Sequence, residues 1–192
     1  MTADPIATLA DDEVLGPVVD EHGPVELDPA DDLFERLVVS LVRQQVSMEA
    51  AAAIRDRLFD AVTVTPEGIL TADPETLHEA GLSEAKVDYV TRTASAFTER
   101  DWGRETFARM SDEAVRTELT EIKGIGPWTA DMFLMFGLAR EDVFPVGDLG
   151  IRKGMGRVFD ADLTRGEMVD AAERWQPYRS YASLYLWRAV ED

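Results

Sequence analysis

The chain has 192 residues, with 38 Asp and Glu against 19 Lys and Arg, a formal net charge of −19, and no cysteine. That length accommodates one domain or two small lobes, and the lack of cysteine excludes disulfides, a thiol nucleophile and a cysteine-ligated iron–sulfur cluster. No apolar run is long enough to span a bilayer and the first 30 residues are acidic rather than a basic-then-apolar leader, so a cytoplasmic protein is expected.

Apolar residues recur at helical spacing almost throughout. In chain order they predict helices over residues 31–46, 48–61, 66–71, 74–80, 84–99, 111–121, 127–137, 148–158, 164–173 and 178–190, with ends good to about 2 to 4 residues. Breaks fall at Pro66, Pro74, Gly81, Gly103, the Gly124–Gly126 turn and Gly147, where the apolar period also lapses. The acidic segment before residue 31 receives no element. His22 and His78 read as structural or surface residues, and no transition-metal constellation is visible. Trp102 and Trp175 read as core or surface, and helix packing explains Tyr178 and Tyr181 as well as a functional site does. Gln44, Gln45 and Ser47 interrupt an apolar helix end, where polar groups need solvent or a partner.

The segment from Leu119 to Gly156, LTEIKGIGPWTADMFLMFGLAREDVFPVGDLGIRKGMG, carries most of the functional information. Val115, Leu119 and Ile122 precede Gly124 and Gly126, and Trp128, Met132, Met135 and Phe136 follow, each set at helical spacing. Two glycines within three residues suit a tight interhelical turn that brings bare backbone against a ligand. Pro127 is preset for a first helical turn. The amides of Ile125, Gly126 and Trp128 are then expected to face an anion such as a DNA phosphate, a grip that ignores base sequence. Any helical hairpin can use such a turn, so the glycines alone do not assign a function. Downstream, the loop Val143–Gly147 delivers Asp148 to the start of a helix containing Ile151, Met155 and Val158, where it reads locally as an N-cap.

These residues together resemble the helix-hairpin-helix (HhH-GPD) DNA glycosylase superfamily, whose hairpin is followed by a Gly/Pro-rich loop and a catalytic aspartate. The likeness is greatest to the DNA-3-methyladenine glycosylase II type, and three further segments share it: SLVRQQVSMEA (40–50), LHEAGLSEAKVDYV (77–90) and WQPYRSYASLYLW (175–187). It covers most of residues 31–190, so the extra N-terminal lobe of the long form is not expected. The resemblance implies an all-α fold of two helical lobes around a cleft. Residues 45–145 would form a central lobe containing the hairpin (about 111–137), and 1–44 with 146–192 the second lobe.

By the same resemblance, the chain is expected to be a monofunctional glycosylase of base excision repair. It would bind damaged double-stranded DNA as a monomer, flip out alkylated purines of the 3-methyladenine or 7-methylguanine type, and cleave the N-glycosidic bond. Asp148 matches the catalytic aspartate. Trp128 and Trp187 match pocket aromatics, and Met132 stands where the glycosylase II type has a tyrosine. Lys123, Gly124, Ile125, Gly126 and Trp128 would meet the DNA backbone. Gln45 aligns with an inserting leucine and would fill the gap left by the flipped base. The carbonyls of Thr120, Ile122 and Ile125 match a hairpin site for Na+ or K+, while the chemistry needs no cofactor. Related lyases carry a lysine just after the turn, where this chain has Gly126, Pro127 and Trp128, so lyase activity is not expected. The alternatives are a glycosylase for oxidised, deaminated or mispaired bases, and a non-catalytic helix-hairpin-helix DNA-binding module.

The acidity opposes a simple DNA-binding reading. Between residues 118 and 158, however, five Lys and Arg stand against six Asp and Glu, a local balance of −1, so nearly all the negative charge lies elsewhere. Lysine occurs only at positions 86, 123 and 153, a balance resembling proteins of salt-loving organisms. At molar salt the Debye length is about 3 Å and acidic surface repels DNA little. A nucleoid-associated location accompanies the expected activity.

Overall fold

Most of the longer helices begin at a side chain placed to satisfy an orphan amide. Asp32 accepts from the Glu35 N–H, Ser47 from Ala50, Ser83 from Lys86, Ser111 from Ala114 and Asp148 from Ile151. The computed structural model describes residues 4–191. Among them every regular element is helical: α1 (Pro5–Ala10), α2 (Gly16–His22), α3 (Leu33–Arg43), α4 (Met48–Ala61), α5 (Pro66–Thr71), α6 (Pro74–Glu79), α7 (Glu84–Glu99), α8 (Arg104–Ala108), α9 (Asp112–Thr120), α10 (Pro127–Phe136), α11 (Leu149–Phe159), α12 (Arg165–Ala172) and α13 (Arg179–Arg188), with a short 3-10 turn at Glu173–Trp175. None of these helices is long and apolar enough to cross a membrane. The ten predicted helices all form; α1, α2 and α8 were not anticipated. They span six, seven and five residues, and helices that short depend on tertiary packing.

The chain divides into two compact units, Ala30–Leu138 and the described residues within Met1–Pro29 and Ala139–Asp192. The observed boundary differs from the sequence expectation of 45–145, because α3 packs against α4, α7 and α10 rather than with the chain ends. Leu37, Val38 and Leu41 of α3 are fully buried in doing so. Each such side chain contributes roughly 1.5–3 kcal/mol when removed from water.

In the central unit an aromatic chain forms the core, with ring centroids 5.2 Å apart for Phe34–Phe97, 5.4 Å for Phe97–Trp102, 5.3 Å for Trp102–Phe107 and 5.1 Å for Phe107–Phe133. It joins α3, α7, α8 and α10 and fixes the base of the hairpin. Trp102 is therefore core.

In the terminal unit Leu9, Leu15, Val19, Ile151, Met155, Trp175 and Tyr185 share one core. Asp12 organises its edge by accepting from the Val14 and Leu15 amides and from the Trp175 indole N–H, while pairing with Arg174 at 2.8 Å. Helices α11 and α13 approach at Gly154, where an added Cβ would lie 2.4 Å from the Leu186 carbonyl oxygen. Such contact admits no side chain, so the helix that begins at Asp148 is held closely to the helix that carries Trp187.

Candidate active site

The central unit presents the hairpin. α9 ends at Thr120 and α10 starts at Pro127, with Gly124 between them at φ +98. A Cβ on Gly124 would sit 2.2 to 2.6 Å from atoms of the Tyr89 ring, so both the backbone conformation and the packing require glycine. Gly126 serves a different purpose, with φ −96 and nothing within 4 Å of where its Cβ would be. It leaves open space over the backbone at the N-terminus of α10. Among the described residues the Gly126 amide has no hydrogen-bond partner. The expectation for Ile125 is corrected: its N–H donates to the Ile122 carbonyl at 3.0 Å and its side chain is buried. Lys123 is exposed but already pairs with Asp88 on α7 at 3.0 Å, so any anion it meets competes with that carboxylate.

The loop between α3 and α4 is bound to this hairpin. Gln44 Nε2 donates to the Gly124 carbonyl at 2.9 Å and to Thr129 Oγ1 at 3.0 Å. Below it, Lys86 Nζ donates to the Val42 carbonyl at 2.6 Å. Burial pushes the Lys86 ammonium below the usual lysine value. The next residue, Gln45, is exposed and held at φ +58, an uncommon conformation for a side-chain-bearing residue. Val46 and Met48 beside it are also exposed, the latter at 68%. Thus Gln44 is the anchor and Gln45 the projecting tip. Met132, on α10, is 5% exposed and Trp128 is partly buried.

The terminal unit presents Asp148. Its amide donates to the Pro145 carbonyl at 2.8 Å, and Arg152, one turn along α11, donates to the Gly147 carbonyl at 2.6 Å and the Val146 carbonyl at 3.3 Å. The loop that delivers the carboxylate is thereby tied to the helix that follows it. Oδ1 of Asp148 accepts from the Ile151 amide at 3.0 Å and from the Trp187 indole N–H at 2.9 Å. One oxygen held by two donors fixes the carboxylate plane, with its charge at the positive end of α11. Gly150 permits this arrangement, since a Cβ there would come within 2.6 Å of Trp187 Cδ1 and 3.0 Å of Asp148 Oδ1. Sequence reasoning missed Gly150 and Arg152. Nothing in GDLGIRKG separates one glycine from another until Trp187, 39 residues beyond Asp148, is in place.

Trp187 is thus an orienting donor to Asp148 as well as a candidate pocket wall. A groove of about 590 Å³ also borders it, lined otherwise by His22 and by aliphatic and charged side chains. Trp187→Phe keeps the ring but removes the donor, a charge-assisted bond whose loss costs ~1.5–3 kcal/mol. The expected outcome is at least a tenfold fall in kcat for any reaction that depends on the Asp148 carboxylate, with KM changed less than threefold; unchanged kcat would show that the indole donor is dispensable. Among the described residues no group of three or more His, Cys, Asp or Glu could hold a metal ion.

Residues 38–177 match the model of the HhH-GPD superfamily base excision DNA repair protein. The chain is 30% identical over 188 residues to a putative DNA-3-methyladenine glycosylase of Bacillus subtilis, covering 92% of this chain and 66% of that protein. It is 34% identical over 163 residues to DNA-3-methyladenine glycosylase 1 of Schizosaccharomyces pombe, covering 81% of this chain and 71% of the relative. Its fold matches a solved structure of the S. pombe 3-methyladenine DNA glycosylase in complex with abasic DNA, with a TM-score of 0.87 and 30% identity over 97% of this chain and 96% of that one.

Proposed function

The chain belongs to the HhH-GPD superfamily of base excision DNA repair proteins, and we propose from that premise that it is a monofunctional DNA glycosylase releasing alkylated purines from double-stranded DNA. The observation that carries the catalytic part is the immobilised Asp148 carboxylate, with the Ile151 amide and Trp187 indole on one oxygen. A stacked nucleotide must be extruded before its glycosidic bond can be reached. Cleavage then builds positive charge on the sugar, which a fixed carboxylate stabilises, or it orients the water that adds to that carbon. Alkylation of a purine ring nitrogen makes the base cationic and a better leaving group. An aromatic face favours such a cation, and we assign this role to Trp128 and Trp187, with Met132 as a further base contact.

The hairpin grips a phosphate through the Gly126 and Trp128 amides, and Gln45 fills the gap in the duplex. The Thr120 and Ile122 carbonyls lie at the C-terminal end of α9, where carbonyls lack intrahelical donors, and Ile122 retains a second lone pair beyond its bond from Ile125. With the Ile125 carbonyl they would hold Na+ or K+, which supplies positive charge beside the phosphate and no chemistry on the base. A cytoplasmic, nucleoid-associated location goes with this activity.

A panel of duplexes, each carrying one defined lesion, tests the reading. Release is expected from 3-methyladenine and 7-methylguanine. Preferential release of an oxidised, deaminated or mispaired base would move the assignment to another glycosylase class. Borohydride added during turnover is expected to trap no covalent protein–DNA adduct, since no lysine stands just after the turn and Lys123 is paired with Asp88. A trapped adduct would overturn the monofunctional assignment.

A further inference from the structure

Three arginines converge in a concavity of about 210 Å³ between α3 and the first turns of α4, directly behind the Gln45 loop. Arg36, Arg43 and Arg55 line it together with Val39, Val42 and Met48. In a chain of net charge −19, such a concentration of positive charge is out of keeping with the surface. Arg55 is neutralised locally by Asp56 at 2.6 Å, an exposed pair, but Arg36 and Arg43 face no such partner. Arg43 Nη2 has only the Met48 sulfur, at 3.7 Å.

Arg36 is the more unusual of the two. Its guanidinium lies over the Phe136 ring, 5.1 Å from the centroid, and its Nε is buried without an acceptor among the described residues. Burial and the like charge of Arg43 both push the Arg36 guanidinium below its ordinary value. A partly buried guanidinium beside a second cation is destabilising by itself, and an anion entering the concavity relieves that repulsion. We propose that this three-arginine concavity is an anion subsite that takes a DNA phosphodiester beside the gap filled by Gln45. The ligand chemistry follows from the donors: planar guanidinium groups suit a tetrahedral oxyanion. The choice of DNA follows from position, because Arg43 and Met48 are the two ends of the loop that carries Gln45. In this acidic chain the subsite adds an electrostatic hold to the uncharged amide grip at the hairpin.

The inference rests on the glycosylase reading, and its test separates the two. Binding of the full chain to a duplex with a tetrahydrofuran abasic analogue is measured across potassium chloride concentrations for wild type, Arg36→Gln and Arg43→Gln. Each lost phosphate contact lowers the magnitude of the log–log salt slope by about 0.9. Melting temperature is measured alongside in inorganic phosphate and in chloride of equal ionic strength. The expected result is a shallower slope for both variants and a saturable rise with phosphate in wild type that both variants lose. Arg43→Gln, whose side chain is exposed, decides the matter should Arg36→Gln fold poorly. An unchanged Arg43→Gln slope overturns the proposal, including the case in which phosphate protection disappears and the concavity takes a small free anion. Base release is scored separately, so a shallower slope with an inactive wild type would refute only the glycosylase reading.

Discussion

Asp148→Asn is expected to lower base release by about 100- to 1,000-fold, a loss of ~2.7–4 kcal/mol of transition-state stabilisation. Asparagine keeps an acceptor oxygen, so the bonds from the Ile151 amide and the Trp187 indole persist. It also caps a helix about as well as aspartate. What disappears is the negative charge facing the developing cation and, with it, an attraction to the positive end of α11 that is worth ~0.3–1 kcal/mol. Melting temperature is therefore expected to move by only a few degrees, and affinity for an abasic-site duplex to stay within a few-fold. Full activity in this variant would leave Asp148 as a helix cap alone.

Gly124→Ala is expected to have the largest effect on stability of any single methyl group added to the hairpin. Positive φ opposes a side chain there, and the new Cβ would overlap the Tyr89 ring at 2.2 to 2.6 Å. Together these cost ~2–4 kcal/mol. The carbonyl of Gly124 is also the acceptor for Gln44, so displacing the turn disturbs the anchor of the Gln45 loop. Thermal unfolding and DNA affinity should both suffer. Gly126→Ala provides the contrast: with open space at its Cβ position and ordinary backbone angles, it should barely change the melting temperature, yet weaken DNA binding by crowding the amide grip. Equal stability losses for the two substitutions would contradict this division of labour.

Most helices were legible because their ends are written locally, in Ser83, Ser111 and Thr164 as caps and Pro66, Pro74 and Pro127 at first turns. Proline signals at Asp4-Pro5 and Gly16-Pro17 were equally present but stand in the acidic segment before residue 31, which received no element. The unit boundary was not legible. An apolar face on α3 announces that it will be buried without naming α7 and α10 as what buries it.

The site divides in the same way. Gly124 and Asp148 carry their meaning in local sequence, as a turn glycine and a helix cap after a Gly/Pro loop. Gln45 was singled out through resemblance alone, and the role of Gln44 could not be read, because only the fold shows that its amide reaches Gly124 and Thr129 while its neighbour projects. Trp187 was expected to stack on a base, and its indole N–H also proved to hold Asp148. Such pairings across tens of residues leave no trace in periodicity or spacing.

The most direct test is mass spectrometry of the free bases released when the wild-type protein is incubated with methylated duplex DNA. Release of 3-methyladenine and 7-methylguanine above spontaneous depurination, with the sugar–phosphate strand intact, is the expected result. No base above the protein-free control, with lesion-independent duplex binding retained, would contradict an alkylpurine glycosylase and leave a DNA-binding module.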